Sequence, residues 1–136
     1  MLGTTKYITL EGARKMAAAA EAEARKNDWN VAIAIVDASG GLIFFEKLDD
    51  TQPGSIAVSI GKARTAANFK RPTKALDDAV TSGGRLPFLA VDGAVPMQGG
   101  VPVVVDGKVI GAVGVSGVTS AQDEQVALAA LKVLES

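Results

Sequence analysis

Fourteen residues near the C-terminus carry the pattern in this sequence that most invites a chemical interpretation. The stretch GAVGVSGVTSAQDE, residues 111–124, places three glycines at three-residue intervals and follows them with hydroxyl, amide and carboxylate side chains. Backbone N–H groups at the start of a helix can hold a phosphate or a carboxylate. The stretch is therefore either an anion-binding turn or a strand that runs into a capped helix.

The known nucleotide-binding motifs do not match this stretch. A dinucleotide fingerprint needs G-x-G-x-x-G, whereas the spacing here is G-x-x-G-x-x-G, and no Gly-Lys-Ser/Thr follows to make a Walker A loop. The free N–H groups near Ser116, Gly117 and Thr119 are one possible site for a carboxylate or a phosphate. Alternatively, Asp123 in the first helical turn supplies the negative charge that the helix dipole favours.

A second feature with chemical potential is a run of bases without acids. Between residues 51 and 76 the basic residues are Lys62, Arg64, Lys70, Arg71 and Lys74, and no acidic residue interrupts them. Lys62 and Arg64 lie about 200° apart around a helix, so they cannot both face one pocket. The run is either a solvated helical face or a site for an anionic ligand or an acidic neighbouring subunit.

Histidine and cysteine are both absent from the 136 residues. The chain therefore cannot build a thiol nucleophile, a disulfide, a zinc-finger-like site, a Ser-His-Asp triad or an imidazole proton shuttle. Acid–base chemistry falls to Asp, Glu, Lys, Tyr or a bound cofactor. The sequence assigns no catalytic residue and no metal site.

Composition limits the partners and the location. The 14 bases and 15 acids nearly cancel, which removes the general attraction that non-specific nucleic-acid binding requires. We find no leader pattern and no apolar run of about 18 or more residues, so we expect neither a signal peptide nor a membrane span. These features predict a cytoplasmic protein with one domain over residues 1–136.

Helical signals occur in four segments, which are residues 9–27, residues 55–69, residues 72–80 and a last helix from about residue 119. Thr9 caps the first segment and Pro72 fits the first turn of the third. At the last helix, Thr119 with Gln122, or Ser120 with Asp123, can form a capping box.

Strand signals account for most of the remainder, and they predict a hairpin of residues 31–37 and 42–48, a short strand in LPFLAVD (86–92), and a second hairpin over residues 101–117. Asp37 is expected to accept backbone N–H bonds in the first hairpin turn, and Asp106-Gly107 forms the second turn. Because hairpins join most strands, the sheet should be largely antiparallel with helices on its faces. Gly111 and Gly114 would let a helix or a neighbouring subunit approach the sheet closely.

Three segments together resemble the GlcG/HbpS family: GKARTAANF (61–69), GGVPVVVDGKVIGAVGVSG (99–117) and AQDEQVA (121–127). They occur in the same order through almost the whole chain. The family takes in GlcG proteins, the haem-binding protein HbpS, DhaG-like proteins and the C-terminal domain of PduO-type cobalamin adenosyltransferases. The resemblance implies a profilin-like α/β (α+β) fold, with a five-stranded antiparallel sheet flanked by about four helices, and assembly into homo-oligomers such as octamers.

The resemblance also implies haem as a cofactor, in a protein accessory to the catabolism of small hydroxy acids and diols. Contacts from histidine to haem are impossible here, so the iron would need Met16, Met97, Tyr7, a lysine or a threonine hydroxyl. Met16 lies among alanines at helical spacing and is expected in the core. Met97, in a loop rich in proline and glycine, is the better iron ligand.

The residues that match the family's motifs become ligand-binding candidates: Lys62, Arg64, Thr65, Gly99, Gly100, Ser116, Gly117 and Asp123. Met97 joins them, and so does Arg85, whose guanidinium can clamp a carboxylate. The leading hypothesis is a small-molecule-binding protein that holds an anionic ligand between the Gly99-Gly100 loop and the start of the last helix.

Two other hypotheses stay open. The chain is an enzyme that acts on a small hydroxy- or oxo-acid, with a lysine or aspartate as acid–base group and Arg85 or Lys62 as anion clamp, or it is a structural accessory subunit whose glycines serve assembly. A buried lysine with a lowered pKa would favour the enzyme. An apolar, glycine-lined interface without a polar pocket would favour the structural subunit.

Overall fold

The computed structural model describes residues 1–135, and its elements follow one another as α1 (Leu10–Lys26), β1 (Ala32–Asp37), β2 (Leu42–Lys47), α2 (Ser55–Phe69), α3 (Thr73–Thr81), a 3₁₀ helix (Leu86–Ala90), β3 (Gly100–Val105), β4 (Lys108–Ser116), α4 (Ser120–Leu131) and a final 3₁₀ turn (Lys132–Glu135). The four α-helices confirm the four predicted segments to within about two residues at each end. None of the helices within residues 1–135 is long and apolar enough to cross a lipid bilayer.

The strands form one antiparallel sheet in the order β2-β1-β4-β3. The two hairpins supply its outer pairs, and β1 and β4 pair in the middle, where Ile33 lies opposite Val115. The antiparallel arrangement with flanking helices is confirmed, but the sheet has four strands and not five.

The predicted strand in LPFLAVD is wrong. Leu86–Ala90 forms a 3₁₀ helix with Pro87 in its first turn, and most of the segment is exposed. Pro87 has no N–H group to donate to a strand ladder, and its fixed φ suits the start of a helical turn. The apolar residues of this segment therefore remain at the surface instead of adding a fifth strand.

Helices cover both faces of the sheet. On one face, Ile33, Ile35, Val113 and Val115 pack against α1 and α4, and α1 contributes four buried alanines and Met16. Alanines keep α1 close to the sheet, as the small apolar stripe predicts. On the other face, α2 packs on Ala34, Val36 and Ala112.

Gly114 explains how closely α2 approaches β4. A Cβ atom at this position would lie 2.5 Å from the backbone nitrogen of Ala63 and would also overlap the carbonyl of Ser59. Only glycine leaves enough space for this contact, which confirms that Gly114 allows α2 to pack closely on the sheet. The register between β3 and β4 shifts near Ile110, and this bulge places Ile110 in the core on the α1 and α4 side.

The predicted caps and turns are present. The Thr9 side chain accepts a hydrogen bond from the N–H of Gly12, and Thr119 and Gln122 form a reciprocal capping box at α4. Asp37 Oδ1 accepts hydrogen bonds from the N–H groups of Ser39 and Gly41, at 2.9 and 2.8 Å. These local interactions set the ends of the elements that position the site.

Candidate functional site

Helix α2 directs its two matched bases in opposite directions, as their spacing predicts. Lys62 points into the protein and is 1% exposed, whereas Arg64 is exposed and its Nε donates to the carbonyl of Gly40 at 3.1 Å. Lys74 forms an exposed pair with Asp78 at 2.7 Å. The run of bases therefore does not form one continuous positive surface.

Lys62 is held at the junction between β4 and α4. Its Nζ donates to the carbonyl of Val115 at 2.9 Å and to Asp123 Oδ2 at 3.0 Å. The second carboxylate oxygen, Oδ1, accepts from the N–H of Val118 at 3.1 Å. The ammonium thus links the middle of α2 to the end of β4 and to the first turn of α4.

The carboxylate of Asp123 is as enclosed as its partner, with 2% of the residue exposed. Burial raises the pKa of Asp123, and the Lys62 charge and the N–H of Val118 act in the opposite direction. Removing either partner would leave an uncompensated buried charge, so the two residues stabilise the fold as a unit.

Glycines make the room for the Lys62 side chain. Gly99 has φ = +136°, and a Cβ atom there would lie 2.7 Å from Lys62 Nζ and 2.7 Å from the carbonyl oxygen of Val115. At Gly100 a Cβ atom would overlap the Lys62 carbonyl. Both glycines therefore serve the contact between the β3 entry and α2, and the carbonyl of Gly99 accepts from the N–H of Val115 at 3.0 Å.

Several backbone donors at the start of α4 are bonded within the protein. Thr119 accepts from the N–H of Gln122, Gln122 accepts from the N–H of Thr119, and Asp123 accepts from the N–H of Val118. Ser116 lies nearby, with its hydroxyl 3.3 Å from that of Ser55. The Lys62 ammonium lies in the interior beside these groups.

A different part of the chain presents apolar groups to solvent. In the segment Arg85–Met97, which we call the outer segment, four large apolar residues are exposed by 39 to 64%: Leu86, Leu89, Val91 and Met97. Arg85 is also exposed, and its guanidinium carbon lies 5.8 Å from the centre of the Phe88 ring. Apolar surface and a cation therefore occur together on one segment.

Side chains from α2 and α3 anchor this segment at its C-terminal end. Thr65 Oγ1 accepts from the N–H of Val95 at 2.9 Å, and Asp77 Oδ2 accepts from the N–H of Gln98 at 2.9 Å. Thr73 Oγ1 accepts from the N–H of Gly100 at 2.8 Å. Met97 is thus exposed on a backbone that is fixed on both sides.

The sequence-predicted site residues fall into two groups. The inner group contains Lys62, Gly99, Gly100, Ser116, Gly117 and Asp123, which lie in or beside the α2–β4–α4 junction, with Gly117 packed against Asn30 and Val31. Thr65 supports the outer segment, which carries Arg85 and Met97, and Arg64 lies apart at the first hairpin turn. Sequence analysis missed Thr73 and Asp77, because one hydroxyl or carboxylate on a helix gives no local sign of a distant partner.

The Lys62 ammonium donates to a carboxylate and to a carbonyl, and both bonds need its protons. A general base must instead release a proton and reach its substrate. In this arrangement the Lys62 ammonium connects α2 to β4 and α4 through its two hydrogen bonds.

Haem makes specific demands on such a surface, namely apolar contact with its ring, a ligand for its iron and cations for its carboxylates. Met16 is fully buried in the core, so its sulfur is unavailable. Met97 offers an exposed thioether on the outer segment beside apolar residues, and Arg85 offers a guanidinium. Among the described residues, no group of three or more Asp and Glu side chains is placed to hold a metal ion. Of the side chains considered as iron ligands, Met97 and Tyr7 are exposed, whereas Met16 is not.

Comparisons with known proteins agree with the fold and with the motifs. The model of the family described as haem degrading protein HbpS-like matches residues 8–132. Protein GlcG of Escherichia coli K12 is 46% identical over 113 residues, which are 83% of this chain and 84% of the relative. An uncharacterized 15.0 kDa protein from the dhaT-dhaS intergenic region of Citrobacter freundii is 41% identical over 127 residues, which are 91% and 89% of the two chains.

Solved structures also resemble this chain. Crystal structures of HbpS, one of them of a double mutant from Streptomyces reticuli, include a match at TM-score 0.89 and 32% identity that covers 98% of this chain and 90% of that one. A PduOC–haem complex matches at TM-score 0.85 and 28% identity, with 93% and 94% covered. From the matched residues 8–132 and the 46% identity to GlcG, the chain belongs to the HbpS-like family, together with GlcG.

Proposed function

We propose that this protein binds a small anionic molecule with an apolar body, and that haem is the first ligand to test. The observation that carries the proposal is the outer segment, in which Leu86, Leu89, Val91 and Met97 are exposed and which also carries the exposed Arg85. Exposed apolar groups that converge with a few polar ones are typical of ligand surfaces. The family's description and the PduOC–haem complex support haem as the choice.

In this proposal the outer segment holds the ligand, and Thr65 and Asp77 hold the segment. The apolar side chains would contact the ring, the Met97 thioether would be the iron ligand, and Arg85 would bind a carboxylate. Haem would supply iron chemistry when bound. Thr65 and Asp77 keep the backbone near Met97 in place, since their side chains accept hydrogen bonds from the N–H groups of Val95 and Gln98. The Lys62–Asp123 pair fixes the β4–α4 junction.

We place this binding activity in a cytoplasmic accessory protein of small hydroxy-acid or diol catabolism. The similarity to protein GlcG and to the protein of the dhaT-dhaS intergenic region supports that role. The motif residues Ser116, Gly117 and Asp123 remain part of the proposed ligand-binding region as supports of the β4–α4 junction.

A second candidate function is assembly, which the same exposed apolar residues favour. Large apolar patches on a single chain often mark contacts with another protein chain. We propose that copies of this chain form a homo-oligomer, such as an octamer, and that the outer segment contributes to its interface. Ligand binding and assembly would use the same exposed residues. Haem binding and oligomeric state are therefore measured together on one sample.

The test is a haem titration of the purified protein, followed by the Soret absorption band, with light scattering on the same sample. We expect saturable binding of one haem per chain, with a shifted Soret band and weaker binding in Met97→Ala. Leu128→Ala is the matched control, because Leu128 on α4 is 45% exposed, as is Met97. Arg85→Gln should weaken binding without shifting the band.

Three outcomes would count against the proposal. Absence of a saturable Soret change would remove haem and leave small carboxylates as ligands to test. An equal effect of Leu128→Ala would show unspecific adsorption to apolar surface. An oligomer that forms in the wild type but dissociates in Leu86→Ala or Leu89→Ala, without haem binding, would favour assembly.

A further inference from the structure

A positively charged cleft lies between the C-terminal end of α2 and the β3–β4 hairpin. We call it the hairpin cleft. It has a volume of about 510 Å³ and is lined by Thr5, Lys70, Val104, Gly107, Lys108 and Val109. This volume is within the range of small-molecule sites, about 300–1,000 Å³. None of the residues of the outer segment lines it, so it is separate from the proposed haem surface.

Two lysines line the hairpin cleft and no acidic residue does. Lys70 and Lys108 form no ion pair within residues 1–135, whereas Lys6, Lys15, Lys26 and Lys74 each pair with a carboxylate. Four other clefts lined by described residues each contain at least one carboxylate. The hairpin cleft thus combines two uncompensated positive charges, which attract an anion.

Nearby negative groups are already engaged. Asp106, at the hairpin turn, pairs with Lys6 at 3.2 Å. At the end of α2, the carbonyl of Ala66 accepts from the N–H of Arg71, and the carbonyl of Phe69 accepts from Arg71 Nε. The carbonyl groups of Ala66 and Phe69 thus have donors. Their partial negative charge would otherwise repel an anion at the C-terminus of the helix.

The rest of the cleft is apolar and is fixed to the sheet. Val104 is 55% exposed although it belongs to β3, and Val109 of β4 is half-buried beside it. Thr5 brings a hydroxyl from the N-terminal segment. A ligand that carries only charge, such as inorganic phosphate, would leave the two valines without a partner, whereas a hydrocarbon segment would cover them.

We propose that the hairpin cleft binds a small aliphatic dicarboxylate, with its carboxylates at Lys70 and Lys108 and its methylene groups against Val104 and Val109. Lys70 and Lys108 belong to separate elements, so the ligand bridges the end of α2 and the hairpin. The site is independent of the haem proposal, because it uses none of the same residues.

The test is isothermal titration calorimetry with succinate, glutarate and adipate at low ionic strength, with dimethyl succinate as the uncharged control and inorganic phosphate as the charged one. We expect saturable binding of one dicarboxylate per chain, with an optimum chain length, no binding of the ester and weaker binding of phosphate. Lys70→Gln and Lys108→Gln should each weaken binding by about two- to fivefold, and the double variant should weaken it by the product.

Lys47→Gln is the matched control, since Lys47 is an exposed lysine of β2 without an ion pair among the described residues. It should leave the affinity unchanged. The proposal is overturned if the wild type shows no saturable binding, if Lys47→Gln weakens binding as much as Lys70→Gln, or if phosphate binds as tightly as every dicarboxylate. The haem titration of the Lys70→Gln, Lys108→Gln double variant should match the wild type, so failure of one proposal does not affect the other.

Discussion

Lys62 and Asp123 form an ion pair with an Nζ–Oδ2 distance of 3.0 Å, and both side chains are almost fully buried. The two residues are 61 positions apart in the sequence. Because Lys62 also binds the carbonyl of Val115, the pair joins α2, β4 and α4 at one point. Several of the candidate residues from the sequence motifs, among them Gly99 and Gly100, lie around this point.

Removing one partner of this pair should strongly destabilise the protein. Asp123→Ala leaves the Lys62 ammonium buried without its counter-charge, and we expect the free energy of unfolding to fall by about 3–5 kcal/mol. Urea unfolding at neutral pH measures the change. Lys74→Ala is the control, because the Lys74–Asp78 pair is exposed and should contribute less than about 1 kcal/mol.

The double variant Lys62→Met, Asp123→Leu tests whether the two buried charges depend on each other or whether the side chains contribute only by packing. It removes both charges together, so it should destabilise the protein by less than the sum of Lys62→Met and Asp123→Leu. Additive effects would mean that the two charges do not depend on each other, and a small effect of Asp123→Ala would contradict the structural role outright.

The carboxyl groups of Glu21 and Glu46 predict a specific pH dependence of stability. Burial raises the pKa of Glu46 to about 7, and the charge of Glu21 and a hydrogen bond to it add to this rise. A hydrogen bond from Arg25 keeps the pKa of Glu21 low. The folded state therefore holds a proton on Glu46 that the unfolded chain releases near its ordinary value of 4.5.

This proton stabilises the folded state most fully below pH 4.5, and its contribution is lost as the pH rises to about 7. Glu46→Gln mimics the protonated form, so the variant should gain stability relative to the wild type across this interval and keep a constant advantage above it. Urea unfolding at several pH values measures the difference. A parallel course of stability against pH for Glu46→Gln and wild type would refute the proton held on Glu46.

Thr65 should control the rigidity of the outer segment. Its hydroxyl accepts from the N–H of Val95 at 2.9 Å and donates to the carbonyl of Gly61 at 2.7 Å. Thr65→Val keeps the shape but removes both bonds, so the N–H of Val95 loses its partner, at a cost of about 1–3 kcal/mol. Amide hydrogen exchange should become faster at Val95 and Met97.

Thr81→Val is the control for this exchange experiment. The Thr81 hydroxyl donates to the carbonyl of Asp77 one helical turn earlier on an exposed part of α3. Its loss should leave exchange at Val95 unchanged. If Thr65→Val also leaves it unchanged, the segment is held by contacts other than this hydroxyl.

Local sequence signals were sufficient for most elements of the fold. Caps, turns and apolar periodicity are properties of short segments, and the Thr119–Gln122 capping box and the Asp106-Gly107 turn were predicted from neighbouring residues alone. The strand predicted over residues 86–92 failed because an apolar run does not reveal whether a partner strand is available. Pro87 was the sign that could have favoured a helical turn.

The site was less predictable than the fold. The motif segments identified Lys62, Gly99 and Asp123 as candidate site residues. Lysine and aspartate are usually exposed to solvent, however, so the sequence did not indicate that these two side chains are buried. Thr73 and Asp77 carried no signal, because each acts on a backbone N–H more than 20 residues away.

The four helices, the two antiparallel hairpins, the lack of cysteine and histidine chemistry and the family could all be inferred from the sequence alone. These depend on residue types and on spacings of a few positions. The burial of Lys62 against Asp123, the outward direction of Arg64 and the exposure of the apolar residues of the outer segment became known from the packed structure. The physical reason is that burial and charge pairing depend on contacts between distant segments, which exist only once α2, β4 and α4 have packed together.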